Sequence, residues 1–179
     1  HSIVCVDSSK RVVEAAAKRL KPFGNVRVVQ GDMHALELGR QRFDLVLMLH
    51  ALTYAEHPAQ AVAEAARVLR PGARLLAVTL GQHDHRAVVE PFDHRNLGFS
   101  SAQLAGHARS AGLEVLRCNR RSREPPAPHF AVLSLLARKP HRTPTSLQAN
   151  RQPAPAQAPP PSRPTPLPPP SPALADASH

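Results

Sequence analysis

The stretch Ile3-Val4-Cys5-Val6-Asp7-Ser8-Ser9 decides how this chain reads. Its short apolar run, rich in β-branched residues, predicts a strand that closes on an acid. Ser8-Ser9 then offers a helix N-cap before Val12, Val13, Ala16 and Leu20 recur at helical spacing. Pro22 to Gly24 breaks that helix, Val26–Gln30 reads as a second strand, and Gly31-Asp32-Met33 turns off its end. Strand, helix, strand with an acid at each strand end is the pattern of a parallel α/β sheet, which binds ligands at the carboxyl ends of its strands. A carboxylate at Asp7 is placed to accept from both hydroxyls of a ribose diol.

Further along, Phe43 to Leu49 is apolar except for Asp44, as expected of a central parallel strand covered on both faces. Pro58 starts a helix whose stripe of Ala61, Ala65, Val68 and Leu69 faces a core, with Pro71-Gly72 as its stop, and Leu75–Leu80 is the next buried strand. The polar, His-rich segment 82–99 lacks periodicity and is a candidate lid. Ser100 or Ser101 caps a helix through Leu104 and Ala108 to Gly112. Leu113–Cys118 and Phe130–Ala137 are joined by a connection too short for a crossover helix, which predicts an antiparallel pair.

Composition divides the chain in two. Residues 140–179 hold 13 of the 20 prolines and few large apolar side chains, so they are expected to form a disordered tail, leaving residues 1–139 as one domain. P-x-x-P runs such as Pro161 to Pro164 suit an extended recognition helix, although a plain spacer explains them as well. The tail carries three arginines and one aspartate, +2, so +8 of the formal +10 belongs to residues 1–139. Apart from Arg117, Arg120, Arg121 and Arg123 those charges are dispersed, which favours a solvated basic surface over a nucleic-acid footprint. No window approaches the roughly 18 apolar residues of a membrane span, and Cys5 and Cys118 in apolar runs read as small buried hydrophobes, so the expected setting is a reducing cytoplasm with no membrane partner.

The order of an acid-ended strand, a GDM turn, FDLVLMLHAL, a helix ending in VLRPGARLL and a terminal strand pair resembles the class I S-adenosylmethionine-dependent methyltransferases over residues 1–139. The segment HRNLGFSSAQLAGHARSAGLEV with FAVLSLLARKP is similar, more narrowly, to methyltransferase domains fused behind ArsR-type winged-helix regulators. The resemblance implies a Rossmann-like three-layer sandwich with a mostly parallel sheet. It further implies that the first strand and Gly-rich loop have no counterpart here, the chain being a partial domain with an opened sheet centre. S-adenosyl-L-methionine is the implied cofactor. Asp7, with Ser8 beside it, would meet the ribose; Gly31, Asp32 and the Met33 backbone N–H would meet the adenine; Leu49 and His50 would flank the methionine part and the transferred methyl. Nucleic acid enters as a partner only through a fused upstream domain, and the methyl acceptor is unspecified.

Plainer readings stand beside these. Asp7 suits a helix N-cap, Gly31-Asp32 a common turn pair, and His50, the one weak candidate for a catalytic base, a hydrogen-bonded core imidazole. Tyr54 and His57 are candidates for lining an acceptor pocket. His83-Asp84-His85 and Asp93-His94 offer nitrogen and oxygen ligands at a spacing too loose for a known metal pattern, so an exposed polar lid is favoured and no metal is expected. Two other functions remain open: a cofactor-sensing regulatory module without turnover, and a nicotinamide-dependent dehydrogenase, against which the GDM turn and the terminal strand pair argue.

Overall fold

Ser9 begins the first helix: its Oγ accepts the Val12 N–H at 3.4 Å, and the chain turns from strand β1 (Ile3–Asp7) into helix α1 (Lys10–Leu20). Strand β2 (Val26–Gln30) returns parallel to β1, with Asp7 level with Gln30, so these two strands end side by side. A computed structural model of the chain describes residues 1–123 and 129–141, all within one compact unit, His1–Arg142. The connection between the last two strands and almost all of the Pro-rich tail lie outside the described residues.

The second sheet has four strands in the order β3-β4-β6-β5. Strand β3 (Phe43–Leu49) lies parallel to β4 (Leu69–Leu80), and β6 (Ala131–Arg138) inserts antiparallel between β4 and β5 (Glu114–Arg123). Helices α3 (Pro58–Val68) and α5 (Ser101–Ser110) pack on one face of this sheet and α1 packs on the small one, an α/β, Rossmann-like arrangement. Ser100 caps α5 through a reciprocal capping box with Gln103, as its S-x-x-Q spacing predicts. Alternation sorts the four-stranded sheet into two faces: Leu75, Ala77, Leu133, Leu135 and Ala137 point into the core with Leu104 and Ala108 of α5 and Ala61, Val62 and Ala65 of α3.

Two expectations need correction, neither of them the sense of the strands: in the four-stranded sheet β6 alone runs against β3, β4 and β5, so the expected mostly parallel sheet with a C-terminal antiparallel pair is what the described residues form, with β1 and β2 as a separate parallel pair. Strand β3 is an edge, not a strand covered on both faces. It pairs only with β4 among the described residues, and Leu45, Leu47 and Leu49 on its outer face are 51%, 54% and 62% exposed. An apolar run is shared by buried central strands and exposed apolar edges alike, so composition alone does not separate them. Finally, α3 stops at Val68, not at Pro71-Gly72. A residue before proline is pushed out of the helical region, which excludes Arg70 from the helix, and Leu69 before it is already extended, so β4 begins early.

Smaller differences follow the same logic. Cys5 and Cys118 are free and half-buried rather than fully buried. The 82–99 segment contains a short helix α4 (Arg86–Val89) and a 3-10 turn at Glu90–Phe92. The turn between Ala51 and Tyr54 is a single helical turn, α2. No helix among the described residues is long and apolar enough to cross a membrane.

Candidate functional site

Asp7 and Asp32 lie at the carboxyl ends of adjacent parallel strands, and each is held in the same way. Asp7 Oδ1 accepts the backbone N–H of Ser9 at 2.8 Å, and Asp32 Oδ1 accepts that of His34 at 2.8 Å. Both are Asx turns, in which a short acid bonds to the N–H two residues on. Ser9 is thus the helix cap, and the alternative of Asp7 as the N-cap does not hold. The second carboxylate oxygen of each acid accepts no hydrogen bond among the described residues. The Met33 N–H is also uncommitted among them, so a free acceptor, Asp32 Oδ2, and a free donor, Met33 N–H, are sequence neighbours. Gly31 lies tight against β1: a Cβ there would stand 3.1 Å from Val6 Cγ1, and its N–H donates to the Asp7 carbonyl. Ser8 accepts from the Gln30 side chain through its carbonyl, which ties the two strand ends together.

The segment after Asp32 is fastened to α3 by polar contacts from one helical face. Gln60 donates to the His34 carbonyl at 3.0 Å, Glu64 accepts the Leu36 N–H at 2.9 Å, and Arg67 donates to the carbonyls of Leu36 and Leu38 at 2.7 and 2.8 Å. Glu64 and Arg67 also pair with each other at 2.7 Å. The Arg67 hydrogen bond, with a smaller contribution from the Leu36 N–H, holds the Glu64 carboxyl below its ordinary range, and Glu64 in turn raises Arg67. Met33 packs against the main core, and the His57 N–H donates to His34 Nε2 at 3.2 Å. These contacts fasten the acid-bearing turn to the core and to the start of α3.

At the end of β3, Leu49 and His50 are exposed. His50 adopts φ 55°, a left-handed conformation uncommon for a side-chain-bearing residue, while its N–H donates to the Val78 carbonyl at 2.7 Å. It is therefore not a hydrogen-bonded core imidazole. Beyond it, Asn96 clamps α2 from the polar segment: its Nδ2 donates to the carbonyls of Leu52 and Ala55 at 3.0 and 2.7 Å, and the Thr53 carbonyl accepts from the Arg95 and Asn96 N–H groups. The ends of that segment are also zipped, with Gln82 N–H to Phe99 O and His83 N–H to Leu97 O, so it is a braced loop. Gly98 allows the close approach: its φ is +77°, and a Cβ would strike the Gly81 carbonyl oxygen.

Tyr54 stacks edge-on against His94 at 5.3 Å, and His83 stacks on His85 at 5.7 Å with Phe130 against both. Burial lowers the pKa of His83, assisted by His85 and His94, and that of His94, assisted by His50. His83 Nε2 and His94 Nδ1 are buried with no hydrogen-bond partner among the described residues. No group of three His, Cys, Asp or Glu among the described residues is arranged to hold a metal ion.

Sequence reasoning places Asp7, Ser8, Gly31, Asp32 and Met33 together, and the structure puts them at one end of the β1–β2 pair. It overlooked His34, Gln60, Glu64 and Arg67. Their signal was present as polar residues at i, i+4 and i+7 on an otherwise Ala-rich helix.

Residues 1–77, which include both acids, match the model of a methyltransferase domain. The match covers 77 of the chain's 179 residues. The protein is 42% identical over 74 residues to a 37.1 kDa protein of transposon TN4556 from Streptomyces fradiae, covering 41% of this chain and 21% of that protein. It is 34% identical over 70 residues to a ubiquinone/menaquinone biosynthesis C-methyltransferase of Stutzerimonas stutzeri (strain A1501), covering 39% of this chain and 27% of the relative. The matched segment thus spans 21% and 27% of those two relatives' lengths. A geranyl diphosphate methyltransferase solved in complex with S-adenosylmethionine superimposes with a TM-score of 0.65 at 13% identity, over 77% of this chain and 68% of that one. At that identity the likeness concerns the methyltransferase fold alone.

Proposed function

We propose that this chain is an S-adenosylmethionine-dependent methyltransferase domain acting on an acceptor that its described residues do not specify. The observation that carries the reading is the pair of oriented carboxylates, each with one oxygen tied back and the other free, at the ends of adjacent parallel strands. The domain match over residues 1–77 and the solved methyltransferase complex support it.

The residues present fit an adenosyl group. Asp7 supplies acceptor oxygens for ribose hydroxyls, which are donors. Asp32 Oδ2 and the Met33 N–H offer an acceptor beside a donor, the complement of the amino group and adjacent ring nitrogen of adenine. The tightness of Gly31 against Val6 keeps this turn close to β1. Leu49 and His50, at the end of β3, belong to the methionine side, and His50 is the candidate for contacting the acceptor. When bound, the cofactor supplies a methyl group activated on a sulfonium, and the protein's task is to align an acceptor with it and exclude water. Asn96 braces the 82–99 loop over α2 for the second of those tasks.

Calorimetric titration of the full chain with S-adenosylhomocysteine, beside Asp7→Ala and an NAD control, tests this. The expected result is binding that falls at least about tenfold in Asp7→Ala, the loss of one charge-assisted hydrogen-bond pair, and no response to NAD. A folded chain that ignores S-adenosylhomocysteine overturns the proposal. Binding without methyl transfer to any of a panel of acceptors would instead favour the ligand-sensing alternative.

A further inference from the structure

Asp32, the acid proposed to meet the adenine, is itself aimed by a histidine. His34 Nδ1 lies 2.7 Å from Asp32 Oδ1, and the His57 backbone N–H donates to the opposite ring nitrogen, Nε2. A backbone N–H only donates, so Nε2 is the bare acceptor and the ring proton sits on Nδ1, pointing at the carboxylate. The backbone of His34 is fixed as well, its N–H on the same Oδ1 and its carbonyl on Gln60. The His34 side chain is 17% exposed against 62% for Asp32, so a nearly buried, fully bonded ring holds an otherwise open acid. Asp32 therefore receives two hydrogen bonds on one oxygen, which hold its carboxyl below its ordinary value and leave the other oxygen for a ligand.

We propose that His34 is a positioning residue for nucleobase recognition: fixed in its Nδ1–H tautomer by the His57 N–H, it locks Asp32 so that Oδ2 selects a 6-aminopurine over a 6-oxopurine. The inference rests on the adenosyl reading of Asp32. An ionised oxygen held in place attracts an exocyclic amine and repels a carbonyl at the same position, whereas an acid free to swing away discriminates less. The link also joins the base-reading turn to the first residue before α3, seven positions beyond His50.

The test compares S-adenosylhomocysteine with S-inosylhomocysteine by titration of the full chain, of Asp32→Ala, and of His34→Leu and His34→Asn. The native chain is expected to prefer the adenosyl ligand at least tenfold. His34→Leu should lose most of that preference, by weakening the adenosyl ligand and, as the repelling oxygen swings away, strengthening the inosyl ligand. His34→Asn, which keeps an N–H donor near the place of Nδ1, should restore it. A general loosening of the fold would lower both affinities together, so the ratio isolates positioning from stability. A preference that survives His34→Leu while Asp32→Ala abolishes it overturns the role of His34 and leaves the adenosyl reading intact. No preference in the native chain, or none lost in Asp32→Ala, overturns the reading and the inference together. Should His34→Leu fail to fold, long-range nitrogen–proton NMR of the native chain decides, since a His34 protonated at Nε2 contradicts the proposal without any ligand.

Discussion

In the four-stranded sheet, Leu75, Leu133, Leu135 and Ala137 are at most 2% exposed, whereas no residue before Met48 is buried, β1, α1 and β2 included. Both regions are strand–helix units of one fold, yet the first is held by apolar packing, whereas the turn that follows β2 in the second, residues 34–38, is held by hydrogen bonds to a neighbouring helix. Asp7 and Asp32, the acids proposed to meet the adenosyl group, stand on the second. Where apolar burial is thin, Gln60, Glu64 and Arg67 substitute for it by fixing the backbone of residues 34–38 directly. The contrast predicts that the two regions respond differently to the same kind of perturbation.

The largest effect is expected in the core. Leu75→Ala or Leu135→Ala should cost about 3 kcal/mol, the range for a leucine truncated in a packed interior, while Val28→Ala in β2 should cost under about 1 kcal/mol because its site is already partly open. Urea unfolding at constant slope measures both. Equal losses would mean that the β1–β2 pair is packed as tightly as the rest, and the comparison would fail.

A smaller effect belongs to the polar stitching. Arg67→Ala removes the donors to the Leu36 and Leu38 carbonyls and leaves Glu64 without its partner, for a loss of about 2 kcal/mol. Arg70→Ala, which breaks the exposed pair with Asp44, should cost no more than about 0.5 kcal/mol. Hydrogen exchange adds the sharper reading: the Leu36 amide should lose protection in Arg67→Ala and keep it in Arg70→Ala. If both variants behave alike, the α3 contacts are surface decoration.

These two regions also differ in how far the sequence reveals them. Strand and helix boundaries of the first thirty residues are readable because period and capping residues agree locally, from Ile3–Asp7 through Ser9 to Gly31. The acids are readable because they close strands. The edge position of β3 is not legible in Phe43–Leu49 itself, which has the composition of a buried strand; only the opened sheet centre that the resemblance implies points to it. Nor is the place of β6 between β4 and β5, since a hairpin reading fixes the pairing of two strands but not which of them meets the rest of the sheet. His34 looks like an ordinary polar residue in a turn, and the orientation of its ring is apparent only when the His57 N–H, 23 positions away, arrives at it.

The smallest expected effect is the pH dependence, which acts on the two regions in separate windows. His83 and His94 in the braced loop have pKa values lowered from the ordinary 6.5, mainly by burial. The unfolded chain then takes up protons on acidification before the folded chain does, so stability declines as pH falls through about 6.5 toward their folded values. Glu64 behaves later: its stabilisation is complete above its ordinary 4.5 and is lost only as pH falls through its depressed folded value. Urea midpoints measured from pH 8 downward should therefore show a shallow early decline and a second one below about 4.5. His94→Phe keeps the ring packing against Tyr54 while removing a buried, unbonded nitrogen, so its stability relative to the native chain should be greater at pH 5.5 than at pH 8. Glu64→Gln should reduce the second decline, Asp32 supplying what is left of it below its ordinary 3.8, and leave the first. A relative stability of His94→Phe that is the same at both pH values would mean that the imidazole titrates alike folded and unfolded, and that the loop is open to water.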